Sequence, residues 1–251
     1  MLEIKNISVT KNKKEILHDV SFSVKPHTIT AIIGKNGSGK STLISCLTGE
    51  SKYKGSVFFS DEDISLLTSR QRARLVSLLP QNLPAVPVTV ERLAEMGRSP
   101  YTDIGGRLSA KDTEQIEKAI KGAGVENIRH KKLTEISGGE RQKAYIAMVL
   151  SQNTRIIALD EPTTYMDVQV EKEFMSLIRE LKEKHKKTLL VVMHDLSAAV
   201  DFADNILVLD DGRIREFGKT DDVLASGAIE EIFGVRKYEC VLGGEKRTIF
   251  R

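Results

Sequence analysis

One stretch, Thr28 to Thr48, limits what this chain can fold into more than any other. It reads TITAIIGKNGSGKSTLISCLT: a short β-branched apolar run leads into a glycine-rich turn, and a lysine and a serine then open an amphipathic helix. Gly34, Gly39, Lys40 and Ser41 fill the fixed positions of G-x-x-x-x-G-K-[ST], and the flanking strand and helix are the context that this pattern requires. The stretch therefore predicts a phosphate-binding loop, with an ordinary glycine turn as the alternative.

The chemistry of such a loop explains its residue types. A loop that wraps a polyphosphate has to aim successive backbone N–H groups inward, and glycine permits the positive φ values and the close approach that this needs. The phosphate oxygens then lie at a helix N-terminus, where unpaired N–H groups and the helix dipole favour negative charge. Lys40 is expected to reach the β- and γ-phosphates of ATP, and the Ser41 hydroxyl is expected to bind Mg²⁺. The candidate nucleotide-binding residues are Gly34, Lys35, Asn36, Gly37, Ser38, Gly39, Lys40, Ser41 and Thr42.

Composition narrows the function classes. The chain has 251 residues and a formal net charge of +3, with opposite charges interspersed, so no nucleic-acid partner is expected. Its cysteines, Cys46 and Cys240, are far apart and in no metal-like spacing, which favours a reducing cytoplasm. No signal-peptide hydrophobic segment is expected at the N-terminus, and no apolar run approaches the ~18 residues of a membrane span. If the protein works at a membrane, other chains must cross it.

The order of the predicted elements indicates an α/β fold. Alternating residues near the N-terminus predict a small antiparallel layer. Further along the chain, apolar strands alternate with helices, which predicts parallel βα units. An Asp-Gly pair at 211–212 predicts a hairpin turn. The predicted strands are 2–9, 16–24, 57–59, 76–79, 156–159, 188–193, 206–209 and 213–216, and the predicted helices of the second half are 168–184, 196–203, 221–225 and 228–233.

A helical insertion is expected in the middle of the chain. Three prolines between residues 80 and 87 prevent a long helix there and mark a boundary. Residues 90–152 then have few strand signals. Ser109 and Asp112 resemble a capping box at the start of one helix, and another helix is expected from Glu140 to about Ser151. The tail after Arg236 shows no clear pattern.

Polar residues follow several of these strands. The strand IIALD ends in Asp160 and Glu161, two carboxylates at the carboxyl end of a strand, where ligands of α/β proteins bind. The first can hold Mg²⁺ and the second can polarise an attacking water, although a helix cap beside a surface acid is the alternative. Gln81 ends another strand, and His194, which follows LLVVM, is expected at the same crevice. The phrase ISGGERQ at 136–142 supplies N–H groups at a helix N-terminus, a second anion site, with a simple helix entry as the alternative.

In this order, these residues resemble the motifs of the ATP-binding subunits of ABC transporters, from Leu2 to Phe233. GKNGSGKS resembles Walker A, and IIALDE resembles Walker B followed by the catalytic glutamate. By the same resemblance, Gln81 is the Q-loop glutamine, Asp167 the D-loop aspartate and His194 the switch histidine. The signature motif corresponds to Ser137, Gly138, Gly139 and Glu140.

The resemblance implies a fold and a division of the chain. The fold is a P-loop NTPase (RecA-like) α/β domain with a mainly parallel sheet core, a small antiparallel β subdomain and an inserted α-helical subdomain. One ABC ATP-binding domain then spans residues 1–251. Residues 1–86 and 153–233 form the nucleotide-binding core with its antiparallel layer, residues 87–152 the inserted helical subdomain, and residues 234–251 a C-terminal tail.

The resemblance also implies a mechanism and partners. Two subunits are expected to dimerise head to tail, each ATP lying between one subunit's Walker A and residues 137–139 of the other. Glu161 then activates the attacking water and His194 contacts the γ-phosphate, while Gln81 joins Ser41 and Asp160 around Mg²⁺. The implied partners are a second ATPase subunit in a homodimer, transmembrane permease subunits that dock on residues 82–105 and, indirectly, an extracytoplasmic substrate-binding protein. The implied location is peripheral, on the cytoplasmic face of the cell membrane.

Local phrases narrow the resemblance to importers of iron-siderophore complexes, haem or cobalamin. They are LPQNLPAVPVTVERLAEMGRSPY, SGGERQKAYIAMVLSQNT and LDEPTTYMDV, of which MGRSPY is the most telling. The sequence departs from the family at residues 9–14, which lack the aromatic that often stacks on adenine, so apolar contact or a lysine stem is expected to hold the base. Ile136, Glu140 and Tyr165-Met166 also replace commoner residues. A zinc or manganese importer is the alternative.

Other classes of protein fit this sequence less well. A soluble ABC ATPase that acts on DNA or ribosomes would need a long heptad insertion or a second nucleotide cassette. A regulatory module that binds ATP without hydrolysis would not need Glu161 and His194. A nucleotide kinase would leave the SGGE phrase unexplained.

Overall fold

The computed structural model of the chain describes residues 1–102, 106–163, 166, 168–242 and 245–251. These residues group into two compact units, one formed by 1–67 with 188–251 and the other by 68–187. The strands are β1 (Leu2–Lys11), β2 (Lys14–Val24), β3 (Ile29–Ile33), β4 (Lys54–Phe59), β5 (Glu62–Asp63), β6 (Val76–Leu79), β7 (Ile156–Asp160), β8 (Thr188–Val192), β9 (Asn205–Asp210), β10 (Arg213–Lys219), β11 (Lys237–Leu242) and β12 (Glu245–Phe250). The helices are α1 (Lys40–Thr48), α2 (Ser69–Ala73), α3 (Val90–Met96), α4 (Ala110–Gly122), α5 (Gly138–Gln152), α6 (Val168–Glu183), α7 (Leu196–Phe202), α8 (Thr220–Ser226) and α9 (Ala228–Phe233).

The first unit contains the predicted antiparallel layer. Its strands lie in the order β2-β1-β4-β5, and β1 pairs with both β2 and β4. Apolar side chains of β1 such as Ile4 and Ile7 are buried while Lys5 and Asn6 are exposed, which is the pattern of a sheet with one face in the core. The positions of these strands confirm the sequence prediction.

A mostly parallel sheet forms the core of the same unit. The central strand β3 is buried at all five residues and pairs in parallel with β8 on one side and β9 on the other. A strand buried on both faces has a continuous β-branched apolar sequence, as β3 does. Because β3 and β8 are parallel neighbours, their carboxyl ends meet at one edge of the sheet.

The hairpin β9-β10 closes the other side of this sheet through a two-residue turn. Asp211 and Gly212 both have positive φ, 45° and 72°, which is the geometry of a type I′ turn and explains the Asp-Gly pair. The Gly212 N–H donates to the carbonyl oxygen of Ser38 at 3.1 Å, and the Gly212 carbonyl accepts from the N–H of His18 at 2.9 Å. The turn therefore supports the loop between β3 and α1.

The C-terminal tail forms a second hairpin, β11-β12, which the sequence did not predict. The Phe250 N–H donates to the Ser197 hydroxyl at 3.3 Å, and Arg247 Nη1 donates to Asp201 Oδ2 at 2.7 Å. Both acceptors lie on α7, so the hairpin packs along the helix that follows β8.

The second unit combines one parallel strand pair with helices. Strands β6 and β7 pair in parallel, with Val76 opposite Ile156. Helices α3 and α4 pack on α5. Gly97 permits the close approach of α3 to α5, because a Cβ at this position would lie 2.1 Å from Ser151 Oγ and 2.3 Å from the Met148 carbonyl oxygen.

A buried ion pair joins the same three helices. Arg98 is 5% exposed; its Nη2 lies 2.8 Å from Asp112 Oδ1, and its Nη1 donates to the Ser151 carbonyl oxygen at 2.7 Å. Asp112 also closes the predicted capping box of α4 with Ser109. The MGRSPY phrase is thus explained by packing, since Gly97 and Arg98 fix the end of α3 to the start of α4 and the end of α5.

The observed elements confirm the α/β class with a mainly parallel core, an antiparallel layer and a helical segment. The predicted boundaries of the core, the helical subdomain and the C-terminal tail, at residues 86, 152 and 233, stay a prediction. Within the ranges that the structure describes, no helix is both long enough and apolar enough to cross a membrane.

Candidate functional site

The loop between β3 and α1 has the geometry of a phosphate cradle. Helix α1 starts at Lys40, and its N-cap is Gly39, which offers no side-chain cap; its first turn contains no acidic residue. The N–H groups at the start of this helix are therefore not capped by a side chain and face no carboxylate of their own turn. A helix N-terminus with these properties favours an anion.

Two glycines of the loop are required by the surrounding structure. A Cβ on Gly34 would lie 2.1 Å from the carbonyl oxygen of Leu209 and 2.6 Å from Ser38 Oγ, so no side chain fits at the end of β3. Gly39 has φ +104°, and a Cβ there would lie 2.6 Å from Leu17 Cδ2. The loop is thus pressed against β9 and β2, which holds its backbone in place.

Lys40 lies inside this loop. Its side chain is 5% exposed, and Nζ donates to the carbonyl oxygens of Gly34 at 2.8 Å and Lys35 at 3.1 Å. The ammonium group is therefore already directed into the turn, where it can exchange a carbonyl for a phosphate oxygen. Ser38 Oγ is buried and makes no hydrogen bond with the described residues, which leaves a hydroxyl for a ligand inside the cradle.

The remaining loop residues lie at its outer side. Lys35, Asn36 and Gly37 are exposed, Ser41 is exposed at the start of α1, and Thr42 follows it. Lys11 Nζ donates to Thr42 Oγ1 at 3.4 Å. Lys11 belongs to the segment that lacks the family's aromatic, so a lysine stem does lie beside the loop; the sequence indicated the segment but not this residue.

His194 lies at the same sheet edge as the phosphate loop. It follows the parallel neighbour of β3, and the Met193 N–H donates to the Ile32 carbonyl oxygen at 3.1 Å, which extends the β3-β8 pairing to the residue before the histidine. His194 is exposed, and Asp195 after it caps α7 by accepting from the Ala198 N–H at 2.9 Å. The structure thus places His194 directly after the strand beside β3, and its position in a shared crevice stays a prediction.

In the second unit, the predicted acidic pair and the glutamine meet. Strand β7 is buried along its length and ends in Asp160, which is 8% exposed. Glu161 has φ +52°, an uncommon left-handed conformation for this residue type, and such conformations cluster at active sites. Gln81 Nε2 donates to Glu161 Oε2. The amide thus orients a carboxylate that lies beyond the carboxyl ends of two parallel strands.

The residue types present suit Mg²⁺. This ion prefers hard oxygen ligands such as carboxylate, hydroxyl and amide oxygens, which Asp160, Ser41 and Gln81 supply. No cluster of three or more histidine, cysteine, aspartate or glutamate side chains that could bind another metal occurs among the residues described.

The residues of the signature motif open α5 and are engaged in a capping box. Ser137 Oγ accepts from the Glu140 N–H at 3.3 Å, and Glu140 Oε2 accepts from the Ser137 N–H and hydroxyl, each at 2.8 Å. The Ser137 N–H and hydroxyl hold the pKa of Glu140 below its ordinary value. The helix begins at Gly138 rather than at Glu140, so the two glycines belong to its first turn.

Among the residues that the structure describes, none requires glycine at either of these two positions. A Cβ on Gly138 would meet no described atom within 4 Å, and one on Gly139 would meet only Val170 Cγ1 at 4.0 Å. Neither has the positive φ that requires glycine. Glycine in a helix is less favourable than alanine by about 1 kcal/mol, and the packing of the described residues does not account for glycine at these two positions.

One predicted site residue cannot be placed. Asp167 lies outside the described residues, as does Tyr165 two residues before it, and the proposed role of the aspartate stays a prediction.

Comparisons with known proteins agree with this geometry. Residues 17–164 match the family model described as ABC transporter. The petrobactin import ATP-binding protein FpuD of Bacillus anthracis is 35% identical over 242 residues, which cover 95% of this chain and 87% of the relative. The ferric enterobactin transport ATP-binding protein FepC of Escherichia coli (strain K12) is 34% identical over 226 residues, covering 89% of this chain and 83% of the relative. A dimeric ATP-binding cassette solved in a post-hydrolysis state, bound to ADP and Pi, superimposes with a TM-score of 0.76 at 26% identity, over 88% of this chain and 99% of that chain.

Proposed function

Since this chain belongs to the ABC transporter family, as an ATP-hydrolysing subunit, we propose that it powers the import of a metal chelate through a separate permease. The proposed chelate is an iron-siderophore complex, haem or cobalamin. The names of the relatives support this class, because both FpuD and FepC are named for siderophore transport. ABC ATPases of importers dimerise and work with transmembrane permeases, so the partners that we propose are a second copy of this chain and permease subunits on the cytoplasmic face of the membrane.

The phosphate loop provides the nucleotide site under this proposal. Residues Gly34 to Thr42 hold the triphosphate, with Lys40 on the β- and γ-phosphates. The uncapped start of α1 and the unpartnered Ser38 hydroxyl support this role. Ser41, Asp160 and Gln81 hold Mg²⁺, which neutralises charge on the phosphate oxygens when it is bound.

Glu161 accepts the proton of the attacking water in this proposal. Its carboxylate is oriented by the hydrogen bond that the Gln81 amide donates to Oε2. His194 donates a hydrogen bond to the γ-phosphate, where the imidazole stabilises the negative charge of the phosphoryl group that is transferred to water. Asp167 contributes to communication between the two subunits.

The observation that carries the dimer is the pair of glycines at the start of α5. Gly138 and Gly139 have room for side chains inside this chain, yet they carry none. A nucleotide held by a second copy would need this bare helix end, since a side chain here would hold the phosphates away from the N–H groups. We therefore propose that Ser137, Gly138 and Gly139 complete the ATP site of the partner subunit, and that ATP binding closes the dimer head to tail.

An uptake experiment tests the transported class. In a strain that lacks this chain, uptake of radiolabelled iron-siderophore complexes, haem and cobalamin is compared with uptake of zinc and manganese. We expect at least one iron chelate or cobalamin to lose more than tenfold in uptake rate, with recovery on expression of the wild-type chain but not of Glu161→Gln. Normal chelate and cobalamin uptake together with a loss of zinc or manganese uptake would overturn the proposal.

A further inference from the structure

The segment from Gln81 to Val90 contains no strand and becomes helical only at its last residue, where α3 begins, and yet it is held at both ends. It contains two prolines, Pro84 and Pro87, and follows a third, Pro80, and these residues restrict its backbone. At its start, Gln81 contacts Glu161. This segment lies at the start of the region on which the permease is expected to dock. If the permease displaces the segment, the residues attached to the segment are the ones that move with it.

The far end of the segment is attached to the loop that leads into α5. The Leu133 N–H donates to the Val88 carbonyl oxygen at 2.9 Å, and the Val90 N–H donates to the Lys131 carbonyl oxygen at 3.0 Å. Leu133 is fully buried and lies four residues before Ser137. This attachment therefore precedes the signature residues in the chain.

A second attachment lies after the signature residues, and it is made by Tyr145. The Tyr145 hydroxyl donates to the Pro84 carbonyl oxygen at 2.9 Å, and the same carbonyl accepts from the Val86 N–H at 3.1 Å. Tyr145 is 7% exposed and lies on α5, eight residues after Ser137. At 1.5 Å per residue, the two residues are about 12 Å apart along a rigid helix.

We propose that Tyr145 is a positioning residue that couples the segment 81–90 to the signature residues 137–139. This inference rests on the proposed function and adds the route of coupling to it. The segment holds α5 at Tyr145 and its entry loop at Leu133, so a displacement of the segment moves the start of the helix as one body. The same segment begins at Gln81, so the position of the signature residues is linked to the carboxylate of Glu161.

The attachment at Tyr145 is a hydrogen bond of its hydroxyl group to Pro84, so it can be removed without removing the packing of the ring. Phenylalanine fills the same volume as tyrosine and keeps the apolar contacts of α5, whose neighbours Ala144, Ile146 and Ala147 are also buried. Tyr145→Phe removes one hydrogen bond and leaves the Pro84 carbonyl with the Val86 N–H as a donor. The fold is therefore expected to survive the substitution.

The test uses the chain in complex with the permease that co-purifies with it, reconstituted in lipid nanodiscs. MgATP hydrolysis is measured for the chain alone and for the complex. For Tyr145→Phe we expect kcat and KM of the chain alone to stay within twofold of wild type, while the stimulation of kcat by the permease falls about fivefold, the effect of one neutral hydrogen bond. Tyr238→Phe, which removes an exposed hydroxyl from β11, is the matched control and is expected to keep full stimulation.

The outcomes separate the inference from the proposal beneath it. If wild type is stimulated and Tyr145→Phe is stimulated equally, the inference is wrong and the importer proposal stands. If Tyr145→Phe also loses turnover as the isolated chain and unfolds at lower urea concentration, the hydroxyl has a structural role and the inference is wrong. If no permease co-purifies with the chain, or if the permease does not change the ATP turnover of the wild-type chain, the importer proposal is wrong and so is the inference that rests on it.

Discussion

Glu140 determines whether the start of α5, at the signature residues, is already occupied by a negative charge. Its carboxylate accepts from both the N–H and the hydroxyl of Ser137, so the start of α5 already holds an anion that belongs to this chain. These hydrogen bonds lower the pKa of Glu140, and the group is therefore charged at neutral pH. A phosphate that approaches Ser137 has to compete with this carboxylate.

We expect Glu140→Gln to strengthen the ATP-dependent dimer. Glutamine keeps an acceptor for the capping box but removes the negative charge, and a charge at a helix N-terminus contributes about 0.3 to 1 kcal/mol. In a Glu161→Gln background, the MgATP concentration that gives half-maximal dimer by sedimentation velocity should fall about twofold to fivefold. Glu62→Gln, a change at an exposed carboxylate of β5, serves as control. If Glu140→Gln needs the same or a higher MgATP concentration for half-maximal dimer, the Glu140 carboxylate does not compete with the phosphate.

At the scale of elements, three helices of the second unit are locked together by one buried pair. Arg98 at the end of α3 contacts Asp112 at the start of α4 and the Ser151 carbonyl oxygen at the end of α5. The Ser109 hydroxyl, followed by the Ser109 N–H and Arg98, lowers the pKa of Asp112 to about 2, although burial of the carboxyl acts in the opposite direction. This ion pair therefore fixes the carboxyl end of α5, and the signature residues lie at the opposite end of the same helix.

The sign of this shift predicts a pH dependence of stability. Because the pKa of Asp112 is lower in the folded protein than the ordinary 3.8, its contribution is present above about pH 4 and is lost as pH falls toward 2. We expect Asp112→Asn to reduce the free energy of unfolding by about 2 kcal/mol at pH 7, and by clearly less at pH 3, in urea titrations. Glu114→Gln, which removes only an exposed ion pair with Lys118 on the same helix, is the control and is expected to change stability much less than Asp112→Asn at pH 7. An equal loss at both pH values for Asp112→Asn would assign the effect to shape rather than to charge.

At the scale of the whole molecule, the sequence predicted what local chemistry determines. The phosphate loop, the capping box at Ser109 and the turn at Asp211-Gly212 each depend on residues within a few positions of one another. Glu140 was expected to join the nucleotide site, and its capping role follows from the same local rule. The hairpin β11-β12 had no comparable signal, because its strands KYECVL and EKRTIF do not alternate regularly between polar and apolar residues.

Contacts between distant parts of the chain could not be predicted in the same way. The Tyr145 hydroxyl and the Pro84 carbonyl are separated by 61 residues, and neither residue type requires the other. The support of Ser38 by Gly212 and the packing of Gly97 on α5 likewise depend on how elements meet. Sequence patterns indicated that these residues matter, as in MGRSPY, but the partners came only from the fold.

The central claim is that two copies of this chain share each ATP site. The most direct test is the mass of the Glu161→Gln variant in MgATP, measured by sedimentation velocity. Glu161→Gln is expected to bind ATP without steady turnover and to shift from one copy to two. Both Lys40→Ala and Gly138→Asp should abolish this shift, the first through loss of nucleotide binding and the second by a carboxylate at a position that has room for it within the chain.

Mixing these two variants, each in the Glu161→Gln background, is the decisive measurement. We expect dimers to form only in the mixture, with one ATP per dimer, because the intact loop of the Gly138→Asp chain meets the intact signature residues of the Lys40→Ala chain. A Gly138→Asp chain that dimerises alone as well as its parent, or a mixture that stays monomeric at saturating MgATP, would contradict a nucleotide held between two copies.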